Sequence, residues 1–282
     1  MIDSIDIRYA AEMACLLEAS AEKPGNVTPT KSFHDMNFED FLRSAIAIGP
    51  EMALAGQRGV GETVLAAIRA TKRWVRPNTN LGIVLLMAPL ARAALLPGPH
   101  PLRSKLHDVL HGLTIADARC AYDAIRLAVP GGMTDAVAAH DVRTAVPTIN
   151  LREAMALAAE RDSIASEYVT DYAIVFEHCL PAYEAALALG LTNRDAIVQM
   201  YLVVLSQVPD TLIARKAGWP VAQQVLTRAA AIITRGGITT PTGRKAIGQF
   251  DRDLRAEGNR LNPGTTADLV AATLFAAQLM AE

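Results

Sequence analysis

Residues 3–22, DSIDIRYAAEMACLLEASAE, decide the fold class. Ile7, Ala10, Ala14 and Leu17 return at spacings of three and four, so they line one stripe of a helix. Such a stripe needs another surface to cover it. The pattern stops at Pro24–Gly25, and residues 23–36 have no period and hold two prolines, which predicts a loop. Asn37 is placed to cap a second helix bearing Phe38, Phe41, Leu42 and Ala45. A glycine-rich turn at 56–61 leads to a helix over 62–74, and Pro77 and Asn78 open an apolar helix ending near 96.

The helical period continues along the chain, while period-two alternation is nearly absent. Short helices are expected near 105–111 and 116–128. The span 130–147 has no period and reads as a surface or functional loop. Asn150 is expected to cap a helix through 160. A long helical stretch over 163–189 is broken at Pro181, and Asn193 caps a helix to about 207. Pro209–Asp210 begins a short helix to 217, and further helices cover 220–234, 242–257 and 265–281. With no sheet to pack against, these elements predict an all-α fold, a single multi-helix bundle of ten or more helices over 1–282.

Composition agrees. A chain of 282 residues, 51% hydrophobic and 20% charged, can bury a large core; near this length about three quarters of the unfolded surface is buried. Aromatics are only 5%, so Ala, Leu, Ile and Val must do the packing. With 27 basic and 29 acidic residues and no basic stripe, nucleic acid is not an expected partner. The most apolar run, 81–91, is shorter than the ~20 residues that span a bilayer, so no membrane partner is expected. Cys15, Cys120 and Cys179 form no CxxC pair and read as reduced thiols, and residues 1–9 carry three charges and no apolar run. The expected compartment is the cytoplasm. Ala-rich helix faces suit a homodimer interface as well as they suit the core.

The polar loops carry the candidate chemistry. In the first, Gly25 allows close backbone approach, Lys23 can meet a phosphate and Asn26 can hydrogen-bond a sugar or base; the bland alternative is a plain helix stop. His34–Asp35 could move a proton or hold Mg²⁺, or be a surface turn. Arg58 in the 56–62 turn, just before Glu62, could favour an anion at a helix start, although no GxxxxGK[ST] loop occurs. Asn78, Thr79 and Asn80 are more than one cap requires, and Gly82 costs a helix about 1 kcal/mol relative to Ala. Asp210–Thr211, with Arg215–Lys216 following, has the charge order a helix dipole prefers. Asn262, Thr265 and Asp268 stand at the start of the final helix, with Thr265 a candidate cap.

Taken in order, residues 22–27, 34–36, 78–82, 210–211 and 262–269 resemble the motifs of the triphosphoribosyl-dephospho-CoA synthase family over nearly the whole chain. The resemblance implies an all-α transferase that takes ATP and 3′-dephospho-CoA, moves the 5-triphosphoribosyl group to a hydroxyl and releases adenine. Asn80 and Leu81 stand where that family carries His and Lys, and Asn26–Val27–Thr28 replaces Leu-Val-Asp. Two other readings stay open: the same transfer to an acceptor in the biosynthesis of a methanopterin-like one-carbon cofactor, and a non-catalytic nucleotide-binding protein. For the transfer, Mg²⁺ would accompany ATP, with Asp35, Glu62, Asp210 and Asp268 as metal ligands and Lys23 and Arg58 on phosphate. Asn26, Asn78 and Asn80 would orient the nucleotide, beside Gly25, Thr79, Asn262 and Thr265. His34, Asp35 or Asp210 would serve the proton transfer.

Overall fold

Two helices, α4 (Leu81–Ala94) and α14 (Gly264–Met280), bury apolar residues around most of their circumference. Helices of that kind must be enclosed by others. The computed structural model describes residues 2–131 and 146–281, and in it α4 and α14 pack against each other inside the remaining helices. α1 (Ser4–Ser20) lies on α2 (Phe38–Ala53) and α14; α3 (Val60–Lys72) lies on α2, α4 and α6 (Ile115–Ala128). α5 (Leu102–His111) packs on α4. The chain continues through α7 (Leu151–Ala156), α8 (Ser163–Thr170), a π-helical segment (Ile174–Cys179), α9 (Leu180–Ala188) and α10 (Asn193–Leu205). It then forms α11 (Thr211–Ala217), α12 (Trp219–Thr234), a 3₁₀ turn (Gly237–Thr239) and α13 (Pro241–Arg255) before reaching α14.

No strand occurs among the described residues, which carry only one isolated bridge, Thr28 to Lys31. The all-α expectation is met. The buried apolar side chains form one contiguous cluster from Ile7 to Leu279. The apolar run at 81–91 is core, and no described helix is long and apolar enough to cross a membrane. Cys15 and Cys179 are buried and Cys120 is half-buried, all free; burial pushes the Cys179 thiol up to about 12.

Several boundaries differ from expectation. Asn37 and Asn150 form the capping boxes their positions suggest, with Asp40 and Glu153 answering them. The helix after Asn150, however, ends at Ala156. Thr192, not Asn193, caps α10. The 163–189 stretch breaks at Asp171 and Tyr172, both left-handed (φ 52° and 59°), and not at Pro181. Pro181 sits in the first turn of α9, where its missing N–H costs nothing. Most of the expected 130–147 loop, with His140–Asp141, lies outside the described residues.

Candidate active site

Charged and hydroxyl side chains rarely enter a helical core without partners. Here half of the buried polar side chains among the described residues gather where α4 and α14 begin: Glu18, Lys23, Ser44, Thr79, Asn80, Asp210, Thr211, Thr265 and Thr266. Asn80 and Pro263 precede the two helices, and neither residue caps its helix with its own side chain. In the first turn of α4, Leu81 N is taken by Asn78 Oδ1 (3.1 Å), and in that of α14, Thr266 N is taken by the Asp210 carboxylate (2.8 Å); the positive dipole ends of both helices face this region.

Gly82 and Asp268 join the two helices. A β-carbon on Gly82 would stand 2.0 Å from Asp268 Oδ2, so the glycine makes room for that carboxylate. This explains the helix-interior glycine noted in the sequence. Asp268 is part-exposed and accepts no hydrogen bond from the described residues. Burial, then the nearby negative charges of Glu18 and Asp210, push its carboxyl well above the usual range.

Asp210 is placed differently. Its Oδ1 accepts from Ile213 N (2.9 Å), capping α11, and its Oδ2 accepts from Thr266 N (2.8 Å) and Thr266 Oγ1 (2.9 Å). Burial nevertheless raises its pKa. With three donors on its oxygens, Asp210 ties α11 to α14. Thr265 does not cap α14; its Oγ1 receives Leu212 N and Thr211 Oγ1, each at 3.1 Å, and strengthens the same junction. Asn262 Oδ1 is buried beside it with no hydrogen-bond partner among the described residues.

Lys23 is turned inward, not toward a phosphate. Its ammonium pairs with Glu18 Oε1 at 2.9 Å and also reaches the carbonyls of Glu18 and Ala21. Gly25 (φ +79°) lets the loop pass against Leu254 and Pro263, and its N–H donates to Asp251 Oδ1 (2.9 Å). Burial alone would raise Asp251, but bonds from Lys31, Gly25 N–H and Arg255 outweigh it and hold the carboxyl below its usual value. Asn26 Nδ2 donates to Tyr201 Oη (2.9 Å), which itself donates to Pro24 O (2.8 Å). Lys23, Gly25 and Asn26 thus fix the loop.

The middle motif divides its work. Asn78 Oδ1 accepts Leu81 N (3.1 Å), Thr79 shares a 2.5 Å hydroxyl contact with Ser44, and Asn80 Nδ2 donates to Thr71 Oγ1 (3.0 Å). A small cleft lined by Cys15, Glu18, Ser44, Thr79 and Asn80 opens among them. On the outer loop His34 is 80% exposed and lies 3.8 Å from Asp35, while Asp35 accepts from Asn259 Nδ2 (3.0 Å). Lys216, whose pKa burial lowers, donates to Asn259 O (3.0 Å) and is electrostatically coupled to Asp35. Arg215 pairs with Asp162, the cap of α8.

Arg58 and Glu62 do not join this group. Arg92, near the far end of α4, donates to Arg58 O (2.9 Å) and Ala55 O (3.0 Å), and α4 is about 20 Å long. Arg58 itself pairs with Glu51. Glu62 lines a groove of roughly 700 Å³ with Arg69, Arg92 and Asp117 at that end. Asp117 is already used there, accepting from Gly61 N, Thr114 N and Thr114 Oγ1. The expected metal set of Asp35, Glu62, Asp210 and Asp268 is therefore split: Glu62 is remote, Asp35 is on the rim, Asp210 is bonded, and Asp268 remains.

Glu18 was absent from the expected set. It follows Ile7 and Ala14 on the buried stripe of α1, and a carboxylate on an apolar stripe is the signal that would have found it. Ser44, on the buried face of α2, carries the same weaker mark.

In this all-α bundle the starts of α4 and α14 meet at the part-exposed carboxylate of Asp268. The model of the ATP:dephospho-CoA triphosphoribosyl transferase family matches residues 4–282, and the chain belongs to that family. It is a transferase of the triphosphoribosyl-dephospho-CoA synthase kind. A solved structure from Archaeoglobus fulgidus, provisionally described as a triphosphoribosyl-dephospho-CoA synthase, is similar to it at 26% identity and a TM-score of 0.64. The match covers 84% of this chain and 97% of that one.

Proposed function

We propose that the junction of α4 and α14 is where the family reaction takes place. The observation that carries this reading is Asp268, unbonded and partly open, set against Gly82 where α4 and α14 begin. The helix starts would receive triphosphate oxygens, for which free N–H groups and dipole ends are suited. Lys216 and Arg215 stand nearby on α11 as the basic side chains for the outer phosphates, the part first given to Lys23 and Arg58. Asn78, Thr79 and Asn80, bonded to Leu81 N, Ser44 and Thr71, would hold the start of α4 in place beside the ligand.

In the reaction the C1′–N9 bond of ATP breaks through an oxocarbenium-like state, and a bond forms from C1′ to the acceptor hydroxyl oxygen. The hydroxyl proton is carried, in net, to the departing adenine. The chain's task is to hold the acceptor hydroxyl against C1′ and to keep the polyphosphate fixed. Mg²⁺ takes oxygen ligands and commonly one or two carboxylates plus phosphates. Asp268, with no donor on it, and Glu18 beside it fit that requirement. Bound there, the cation would supply neutralisation of phosphate charge. Asp210 lies near them but its oxygens take three donors, and Asp35 and Glu62 stand apart. His34 and Asp35 belong to the rim, where they would meet the outer part of a bound substrate.

The test is to incubate the protein with ATP, Mg²⁺ and 3′-dephospho-CoA and follow adenine by chromatography. Adenine with a matching triphosphoribosyl adduct is expected. Adenine formed only with another hydroxyl acceptor would overturn the acceptor, and ATP binding without adenine would overturn catalysis at this site.

A further inference from the structure

A second constellation lies outside this junction, between α5 and the turn after α8. His107 and His111 are four residues apart on α5, so both rings rise from one face, with centroids 3.9 Å apart. Asp171, the left-handed residue closing α8, places Oδ2 2.8 Å from His107 Nδ1. His111 Nδ1 lies 2.9 Å from the His107 carbonyl oxygen. A carbonyl only accepts, so in this contact Nδ1 of His111 carries the proton and Nε2 keeps a lone pair. A ring N–H held by a backbone carbonyl is a usual support of a metal-bound histidine, and His107 Nδ1 and Asp171 Oδ2 are close enough to share one ion. One ligand atom from each of the three residues lies within 4.8 Å of the other two.

An independent observation points to a cation. Asp171 Oδ1 is buried and has no hydrogen-bond partner among the described residues. The nearest arginine does not serve it, because Arg103 Nε donates to the Asp171 backbone carbonyl (3.0 Å) and its Nη2 to Glu177 (2.6 Å). A buried carboxylate oxygen without a donor is costly.

We propose that His107, His111 and Asp171 bind a divalent transition metal of the Zn²⁺ class. Two imidazoles with one carboxylate select such ions over Mg²⁺ or Ca²⁺. Three protein ligands on an exposed helix face leave a further position for water. Bound there, the ion staples the end of α5 to the left-handed turn that leads into the π-helical segment. This site is separate from the transferase junction.

The experiment is equilibrium dialysis of chelator-stripped protein against micromolar Zn²⁺, with Co²⁺ absorption as a second reading. Wild type is expected to take up one equivalent, to melt at a higher temperature with Zn²⁺, and to show visible Co²⁺ bands. His107→Ala/His111→Ala, checked by circular dichroism to be folded, is expected to lose at least tenfold in affinity and the Co²⁺ bands; Asp171→Asn is expected to weaken binding. His100→Ala and His178→Ala should bind as wild type does. No uptake by wild type, or equal affinity and spectrum in the double variant, overturns the proposal. Loss on His178→Ala with retention in the double variant would overturn it as well.

Discussion

Lys23 shows how a residue's surroundings settle its role. An ammonium that is 1% exposed and paired with a 3% exposed Glu18 is half of a buried ion pair. Removing one partner of such a pair leaves a buried charge uncompensated, which costs about 3–5 kcal/mol. Lys23→Met is therefore expected to lower unfolding stability by roughly that amount in denaturant titrations; a change near zero would mean the pair is not buried in solution. Gly82 carries a second expectation. A β-carbon there would displace the Asp268 carboxylate, and overpacking typically costs about 1–3 kcal/mol. Gly82→Ala should lower both the melting temperature and adenine release. Retained turnover would show that Asp268 can move without consequence. The polar motifs holding Asn80, Asp210 and Asp268 were legible as motifs, because polar residues and glycine ahead of apolar helices are locally odd. Which of their oxygens are free was not legible, since that depends on donors from residues such as Thr266 and Ile213.

At the scale of elements, capping chemistry was readable and the α8 break was not. Asn37 and Asn150 carry their partners three residues on, so local sequence suffices. Tyr168, Tyr172, Val175 and Cys179 are all fully buried and keep helical spacing straight through the left-handed pair at 171–172. The apolar period therefore hides the break. Glu167 holds the broken turn, its two oxygens accepting Ile174 N (2.9 Å) and Val175 N (3.0 Å). Burial raises its pKa from 4.5 to about 7, against the opposing pull of those two N–H groups and of Arg103. A carboxyl raised on folding binds more protons in the folded state, so its stabilisation is full below about 4.5 and is lost as pH rises through about 7. In chelator-treated protein, unfolding free energy should fall across that window by an amount on the order of 3 kcal/mol. Glu167→Gln should flatten the slope, and an unchanged slope would assign the pH dependence to other groups.

For the whole molecule, the two central helices organise both packing and chemistry. α4 runs from the junction with α14 to the groove near Arg58 and Glu62, so residues close in the motif order lie at opposite ends of one helix. Sequence showed the motifs and the all-α class, but linear order cannot show which end of a helix a loop returns to. The comparison that tests the site most directly is adenine release from ATP and dephospho-CoA by Asp268→Asn against Glu62→Ala, both verified as folded by thermal melting. As a ligand of the Mg²⁺ that would neutralise the triphosphate, Asp268 acts on transition-state charge, and losing such stabilisation commonly lowers turnover about 10²-fold or more. The expected result is a loss of that order for Asp268→Asn and turnover close to wild type for Glu62→Ala. The reverse, with Asp268→Asn active and Glu62→Ala inactive, would move the active site to the far groove and contradict the assignment.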